Sequence, residues 1–291
     1  MLFFKNKIIF KRCNFSVQNL NQSKHTTLSS STIYGTDPQA SHHIAEEMEF
    51  QLSAFATRAQ VHVASNGRVI LKDFSTLKAG RLWQHGNIQN HGSRIASEQV
   101  LKEGGELMSS RGAVTVEGDF ISTGGSTKFA DKSKARVANI YQKSSTVSLK
   151  NNGFLSASQQ IITGETAELL ADDSKIDAGV VVAIGAAKLK ASSLTAKEMT
   201  FYNSVTVDHS KIVAEKRAHL TKTAEAKINS SQLESKEIST LGDMSVVNST
   251  LHATETFRAY IGSHTALEGK TVVTSDGNAV LEGDLKVKSS K

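Results

Sequence analysis

The chain has 291 residues, with 34 lysines and arginines against 28 aspartates and glutamates and a net charge of +6. Five basic side chains precede the first acidic residue, Asp37, so the rest of the chain is close to neutral. Without a basic stripe or many aromatic side chains, the composition disfavours nucleic-acid binding. The single cysteine, Cys13, excludes an intramolecular disulfide and a cysteine-based zinc site. No apolar stretch reaches the roughly 20 residues of a membrane span.

Residues 1–36 form a separate compositional segment that is basic, free of acidic residues and rich in polar side chains. Lysines interrupt its apolar residues, which is untypical of a secretory signal. Two interpretations stay open, a disordered basic leader and a mitochondrial transit peptide with Arg12 shortly before the cleavage region. The second slightly favours a mitochondrial location over the cytoplasm or a bacterial cell surface.

Residues 37–59 predict an amphipathic α-helix. Asp37 and Pro38 are typical of an N-cap and a first helical position. The apolar residues that follow have helical spacing and would form one stripe: Ile44, Met48, Leu52, Phe55 and Ala59. Because a stacked repeat exposes an apolar cross-section at its first coil, we interpret this helix as a cap in preference to a partner-binding helix.

Residues 60–291 repeat a short phrase, in which a Ser or Thr is followed by any residue, a Leu or Ile, one more residue and a small residue. Its central residues recur mostly 18 or 21 positions apart and include Leu77, Ile95, Ile176, Leu194, Ile212, Leu233 and Leu251. A period near 20 residues predicts a stacked repeat, and the short β-branched runs predict strands.

Each period contains about three apolar clusters, such as those around Ile212, Leu220 and Ile228. Three strands per turn predict an all-β fold, a right-handed parallel β-helix of roughly 12 coils of about 18–21 residues behind the N-terminal helix. In the longer periods we expect one corner to be lengthened by three residues.

The sequence predicts no catalytic, cofactor-binding or metal-binding residues. Asp172 and Asp173 are adjacent acidic residues, but neighbours on a strand point to opposite faces, so we interpret them as turn or solvent-facing residues. The pairs 104–105 and 124–125 are Gly-Gly, yet no Gly-Lys-Ser or Gly-Lys-Thr follows, so corner turns explain them better than phosphate loops.

The 10 histidines are scattered along the chain. His42 and His43 fall in the predicted helix, whereas His85 and His91 flank a glycine corner. None forms the i, i+4 pair or the His-x-Glu element that is typical of a zinc site. The single tryptophan, Trp83, is expected to be a core or stacking residue.

Two resemblances follow from short phrases. Residues 79–97 and 151–157, the latter reading Asn-Asn-Gly-Phe-Leu-Ser-Ala, resemble the Asn-x-Gly-x-Ile-x-Ala repeat of filamentous-haemagglutinin-type adhesins. Residues 114–120 and 280–285 more weakly resemble the Val-x-Gly-Asp-Ile phrases of bactofilins, which are β-helical cytoskeletal polymers. The first resemblance implies a β-helix that displays a binding surface, and the second implies one that polymerises.

Together these features predict a non-enzymatic structural or interaction protein without a cofactor, a rigid solenoid that acts as an adhesin-like display surface, spacer or self-associating subunit. The segment 270–291 alternates like a strand and has no closing helix, so we expect a homo-oligomer through the C-terminal coil. The alternatives are a bactofilin-like polymer and a carbohydrate-binding or polysaccharide-cleaving β-helix, with a protein or carbohydrate ligand on one face.

Overall fold

The computed structural model describes residues 2–3 and 8–288. Its described residues form parallel strands and no helix. The chain divides into two compact units, Met1–Leu155 and Ser156–Lys291. Each unit is a parallel β-solenoid, which confirms the predicted fold class. The chain makes about 14 turns, more than expected, because the residues before position 60 also form coils.

The strands of unit 1 are β1 (Leu2–Phe3), β2 (Ile8–Lys11), β3 (Asn14–Val17), β4 (Leu20–Gln22), β5 (Thr26–Ser29), β6 (Thr32–Gly35), β7 (Ser41–Ile44), β8 (Glu47–Gln51), β9 (Ala54–Ala56), β10 (Gln60–Val63), β11 (Arg68–Lys72), β12 (Thr76–Gln84), β13 (Asn87–His91), β14 (Arg94–Lys102), β15 (Glu106–Ser110), β16 (Ala113–Ser122), β17 (Ser126–Ala130), β18 (Lys134–Gln142) and β19 (Thr146–Lys150).

Strand β20 (Phe154–Thr163) begins in the last residues of unit 1. The strands that follow in unit 2 are β21 (Glu168–Asp172), β22 (Lys175–Ala183), β23 (Ala186–Lys190), β24 (Ser193–Phe201), β25 (Ser204–Asp208), β26 (Lys211–Leu220), β27 (Glu225–Asn229), β28 (Gln232–Thr240), β29 (Asp243–Val247), β30 (Thr250–Ala259), β31 (His264–Glu268), β32 (Val272–Ser275), β33 (Asn278–Leu281) and β34 (Asp284–Lys288).

The coils have the three sides that the sequence predicts. In the early coils each side is a separate strand, as in β9, β10 and β11. From β12 to β31 the first two sides join into one long strand, and the third side is a short strand of a second sheet. The last described coil again has separate strands on its first two sides, β32 and β33. The three apolar clusters of one coil, at Ile212, Leu220 and Ile228, are all buried and therefore line one core.

The recurring Leu and Ile residues stack in a single interior column. Leu194 pairs in register with Ile212, and Ile212 pairs with Leu233, which in turn pairs with Leu251. All four side chains are buried. This column forms one side of the apolar core of unit 2, because each coil covers the apolar face of the coil before it.

The longer coils take up their extra residues at two corners, so the expectation of one longer corner is wrong. In the coil that starts at β24, strand pairing stops at Ala196 and resumes at Glu198. In the next coil it stops at Ala214 and resumes only at Arg217, which leaves one more residue unpaired at this corner. The following turn spans 202–203 in the shorter coil and 221–224 in the longer one. Splitting the insertion keeps all three sides in register.

The serine of the repeated phrase has a structural role that its recurrence suggested but did not explain. The Ser210 hydroxyl lies inside a corner, where it accepts a hydrogen bond from the Ser192 backbone N–H at 3.0 Å and donates one to the Asp208 carbonyl at 2.7 Å. The same hydrogen bonds, which we call the serine ladder, join Ser31, Ser53, Ser75 and Ser93 in unit 1 and run from Ser174 through Ser249 in unit 2. These buried hydroxyls pair backbone groups that would otherwise have no partner.

The predicted helix at 37–59 is wrong, because these residues form β7, β8 and β9. The Asp37 carboxylate accepts from the Gln39 backbone N–H at 2.9 Å, so it closes a turn rather than capping a helix. Most of the supposed helical stripe is buried by strand alternation, in which Met48 and Phe50 face the core together. Leu52 is exposed in a corner with φ of 50°.

The described part of the N-terminal segment also differs from a disordered leader. Residues 8–35 contain β2 through β6, which pair in parallel with later strands, as when Ile33 of β6 pairs with Phe55. Val17, Leu20 and Leu28 are buried in the core of these coils. Residues 1 and 4–7 of the predicted leader lie outside the described residues. A role of the segment in targeting stays a prediction.

Candidate functional site

A column of rings lies on the outer face of unit 1. His43 of β7 pairs in register with His62 of β10, and His62 pairs with Trp83 of β12. Paired strands in a parallel sheet are about 4.8 Å apart, so side chains at paired positions contact each other. The His62 imidazole stacks on the Trp83 indole with ring centroids 4.9 Å apart.

The histidines of this face form a continuous hydrogen-bonded chain. His43 Nδ1 lies 3.0 Å from His62 Nδ1, and His62 Nε2 lies 3.2 Å from His85 Nδ1. At one end the Ser41 hydroxyl lies 3.3 Å from His43 Nε2. At the other end His85 Nε2 lies 2.7 Å from a Glu103 carboxylate oxygen. We call these five residues the histidine ladder.

The carboxylate end of the ladder sets the direction of its hydrogen bonds. A Glu103 carboxylate only accepts hydrogen bonds, so His85 carries its proton on Nε2 and accepts at Nδ1. His62 then donates from Nε2 and accepts at Nδ1, and the same reasoning places the proton of His43 on Nδ1. In this arrangement each contact has one donor and one acceptor.

Trp83 holds the acidic end of the ladder in place. Its indole N–H donates a hydrogen bond to the Glu103 carboxylate at 3.1 Å. The same carboxylate oxygen accepts from His85, so one residue orients both the imidazole and the indole. Burial lowers the pKa of the His62 imidazole, and the neighbouring His43 and His85 lower this pKa further.

The structure brings some of the histidines considered in the sequence together and leaves others apart. His43, His85 and Trp83 belong to one surface. His42 instead points into the core, where its Nδ1 accepts from the Leu20 backbone N–H at 3.1 Å. His91 ends β13, on a different side of the coil from β7 and β10.

Three members of the ladder, Ser41, His62 and Glu103, were missed by the sequence reasoning. A signal existed, because His43 and His62 are 19 positions apart and Trp83 and Glu103 are 20 apart, close to the repeat period. Searching for metal ligands at helical spacing could not find it, since these residues become neighbours only through coil stacking.

The other residues considered in the sequence lie at corners. Asp172 ends β21 and Asp173 follows it with φ of 47°. The Gly-Gly pairs at 104–105 and 124–125 occupy turns between strands, and the second glycine of each has a positive φ. Cys13 has a free thiol that contacts the Lys11 carbonyl.

Unit 2 has a separate polar groove of about 400 Å³ on its outer face. His219, Ser239 and Arg258 line it at paired positions of three successive strands. His219 Nδ1 lies 2.8 Å from the Ser239 hydroxyl, and burial, followed by the charge of Arg217, lowers the pKa of His219. The Arg258 guanidinium lies 5.3 Å from the centroid of the Tyr260 ring. The groove therefore offers an aromatic face, a hydroxyl and a cation.

Three residues outside the histidine ladder could together bind a metal ion. They are His25, Glu47 and Glu49, whose ligand atoms lie within 4.8 Å of one another. Both carboxylates already have a cationic partner. Arg68 lies 3.2 Å from Glu47, and Lys72 lies 2.8 Å from Glu49. These ion pairs neutralise the two carboxylates, so we interpret the cluster as a set of ion pairs between neighbouring coils.

The described part of the chain contains no helix long and apolar enough to cross a lipid bilayer. Comparison of the sequence and structure with protein-family models, curated proteins and solved structures finds no match.

Proposed function

We propose that this protein is a non-enzymatic structural or interaction module that self-associates through its C-terminal coil. The observation that carries the proposal is the last coil of unit 2, in which core-column side chains lie open to solvent. Leu285 pairs with the buried Thr265, and Leu281 pairs with the buried Ala259. Leu281 and Leu285 are nevertheless 50% and 43% exposed.

The strand edges of this coil support the same proposal. Among the described strands, β32 and β33 pair only with β30, and β34 pairs only with β31. Within residues 8–288, each therefore has one edge of backbone N–H and C=O groups with no strand beside it. Such an edge beside apolar side chains favours the addition of a strand from another chain. The occupant we propose is a second copy of this chain.

The resemblances found in the sequence suggest two forms of this module. Filamentous-haemagglutinin-type repeats would use the solenoid for display, and a bactofilin-like protein would polymerise. Two C-terminal coils meeting face to face give a dimer that stops growing, whereas head-to-tail contact gives an open filament. Sedimentation over a range of concentrations and electron micrographs separate the two, because only a filament lengthens as concentration rises.

The test uses charge on the open face. Leu285→Lys combined with Val287→Lys should abolish self-association in sedimentation velocity at tens of micromolar. Both side chains are already exposed in the single chain, so the fold should be retained. The matched control is Val272→Lys, because Val272 is equally exposed but pairs with the outward-facing Thr250.

The proposal predicts that the control still associates. A wild-type chain that remains monomeric over this concentration range would contradict it, and so would an equal effect of the control and the double variant. A monomer would leave the display or spacer function.

The groove of unit 2 supports a second candidate function, the binding of an acidic carbohydrate. The Arg258 guanidinium lines the groove and supplies its positive charge. Sugars commonly stack on aromatic rings while polar groups bind their hydroxyls. We expect an oligogalacturonate to bind more tightly than a neutral oligosaccharide, with the preference lost in Arg258→Met. Equal binding of both sugars would exclude this function.

A further inference from the structure

The contact between His62 and His85 is the starting point, because two imidazole nitrogens face each other across it. His62 Nε2 and His85 Nδ1 are 3.2 Å apart, and each nitrogen presents a lone pair when it carries no proton. Two lone pairs repel at this distance, so the contact requires either a proton or a metal ion between them. A tetrahedral zinc ion with Zn–N bonds of about 2.0–2.1 Å holds two nitrogens about 3.3–3.4 Å apart. The observed separation is therefore close to that of two ligands of one metal.

We propose that His62 Nε2 and His85 Nδ1 bind one divalent transition-metal cation that prefers imidazole ligands, such as Zn²⁺, Cu²⁺ or Ni²⁺, with water completing its coordination. The cation replaces the proton that otherwise joins the two rings. Nothing in the strand pairing has to change, because His62 lies on β10 and His85 directly follows β12, which pairs with β10.

The rest of the ladder supplies what metal-binding histidines require. A ligating imidazole carries its proton on the other nitrogen and donates it to a fixed acceptor. When a metal takes His62 Nε2, the protons of His62 and His43 each move to the other ring nitrogen. His62 Nδ1–H then donates to His43 Nδ1, and His43 Nε2–H donates to the Ser41 hydroxyl. When His85 binds through Nδ1, its Nε2–H donates to the Glu103 carboxylate. Both proposed ligands thus have an orienting partner already in place.

The charge of the site also suits a cation. Among the described residues, the only ion pair of Glu103 is with His85, so no lysine or arginine neutralises its carboxylate. The His25, Glu47 and Glu49 cluster differs on this point, because Arg68 and Lys72 occupy its carboxylates. A divalent ion would add to excess positive charge there but would be balanced in part by Glu103 in the ladder.

Access and rigidity complete the case. The side chains of His85 and Glu103 are partly exposed, so a hydrated ion can reach them. Trp83 stacks on His62 and hydrogen-bonds Glu103, which limits the motion of both ends of the site. Two protein ligands bind more weakly than three or four, and affinity follows the order in which Cu²⁺ exceeds Ni²⁺. Copper is therefore the most sensitive probe.

The single tryptophan of the chain, Trp83, provides the readout. Cu²⁺ bound beside the stacked indole should quench its fluorescence saturably in untagged protein, and calorimetry with Zn²⁺ should give one site per chain. His85→Gln should weaken binding at least about 10-fold, because it removes a ligand. Glu103→Gln should weaken it about 10- to 100-fold, because it removes the partner that orients His85.

Two control variants distinguish this site from other histidines. His264→Gln removes an exposed histidine of unit 2, and His25→Gln removes the histidine of the other cluster. Both should leave the affinity unchanged. Because His85 lies in the turn after β12, its replacement should retain the β-sheet circular dichroism and melting temperature, which are measured alongside. An affinity that survives in the folded His85→Gln variant, or that falls equally in His25→Gln, would overturn the proposal.

Discussion

The backbone N–H of Ser192 donates a hydrogen bond to the hydroxyl of Ser210, one coil later, at 3.0 Å. Both residues are buried. The corner follows a residue with a left-handed backbone, so strand pairing does not supply an acceptor for this N–H, and the next serine does. The same geometry recurs along the serine ladder, so the serine hydroxyls are part of the backbone hydrogen bonding.

Removing one hydroxyl from the serine ladder should therefore leave a buried backbone N–H without a partner. We expect Ser210→Ala to lower the free energy of unfolding by about 1–3 kcal/mol. The matched control is Ser193→Ala. Ser193 follows Ser192, and its replacement removes an outward-facing hydroxyl, which should change the free energy of unfolding by less than about 0.5 kcal/mol. Urea unfolding measures both, and equal effects would show that the ladder is not stabilising.

The corner residue before each ladder position carries a conformational cost that glycine avoids. Ala191 has φ of 48° and Gly92 has φ of 65° at the equivalent place in unit 1. A Cβ added to Gly92 would meet no atom within 4 Å, so only the backbone distinguishes the two residues. We expect Ala191→Gly to stabilise the fold by about 0.5–1 kcal/mol and Gly92→Ala to destabilise it by about 1 kcal/mol. Thermal melts that move in the same direction for both variants would contradict this explanation.

The interior column of unit 2 should be sensitive to volume. Ile212 is buried between Leu194 and Leu233, so Ile212→Ala leaves a cavity and should cost about 2–5 kcal/mol. Val213→Ala shortens the neighbouring outward side chain and serves as the control, with an expected cost under about 1 kcal/mol. Hydrogen exchange of peptides from β26 and β28 would reveal the local opening. Comparable exchange in both variants would argue against the column as the core.

Because Lys102 is buried, we expect the free energy of unfolding to rise at alkaline pH. Its side chain is buried, and its ammonium donates to the Gly124 carbonyl. Burial lowers the pKa of Lys102 to about 8, partly offset by Glu106. The unfolded chain, with a lysine pKa of about 10.4, binds more protons than the folded chain between these values. The free energy of unfolding therefore increases as pH rises from about 8 to 10.4, and the same gain is lost as pH falls from 10.4 to about 8.

The size of the Lys102 effect should be on the order of 1–2 kcal/mol. Lys102→Met keeps the length of the buried chain without the charge, so this variant should lose that share of the pH dependence and be more stable than wild type at pH 7. Lys134→Met, which removes an exposed lysine, is the control and should change the profile less than Lys102→Met does. Identical pH profiles for wild type and Lys102→Met would contradict the prediction.

The sequence by itself determined the repeat and its apolar column. The recurring Leu and Ile of the phrase predict strands that stack, since a period near 20 residues leaves each apolar face to be covered by the next coil. The buried positions of Leu194, Ile212, Leu233 and Leu251 follow directly from that pattern.

Only the tertiary structure decided the conformation of residues 37–59, because Ile44, Met48 and Phe55 fit both a helical stripe and strand alternation, and pairing with neighbouring coils selects the strands. It also decided the histidine ladder. His43, His62 and His85 meet because corner lengths bring positions 19 and 23 residues apart into contact, and such lengths are set by register between coils rather than by local sequence.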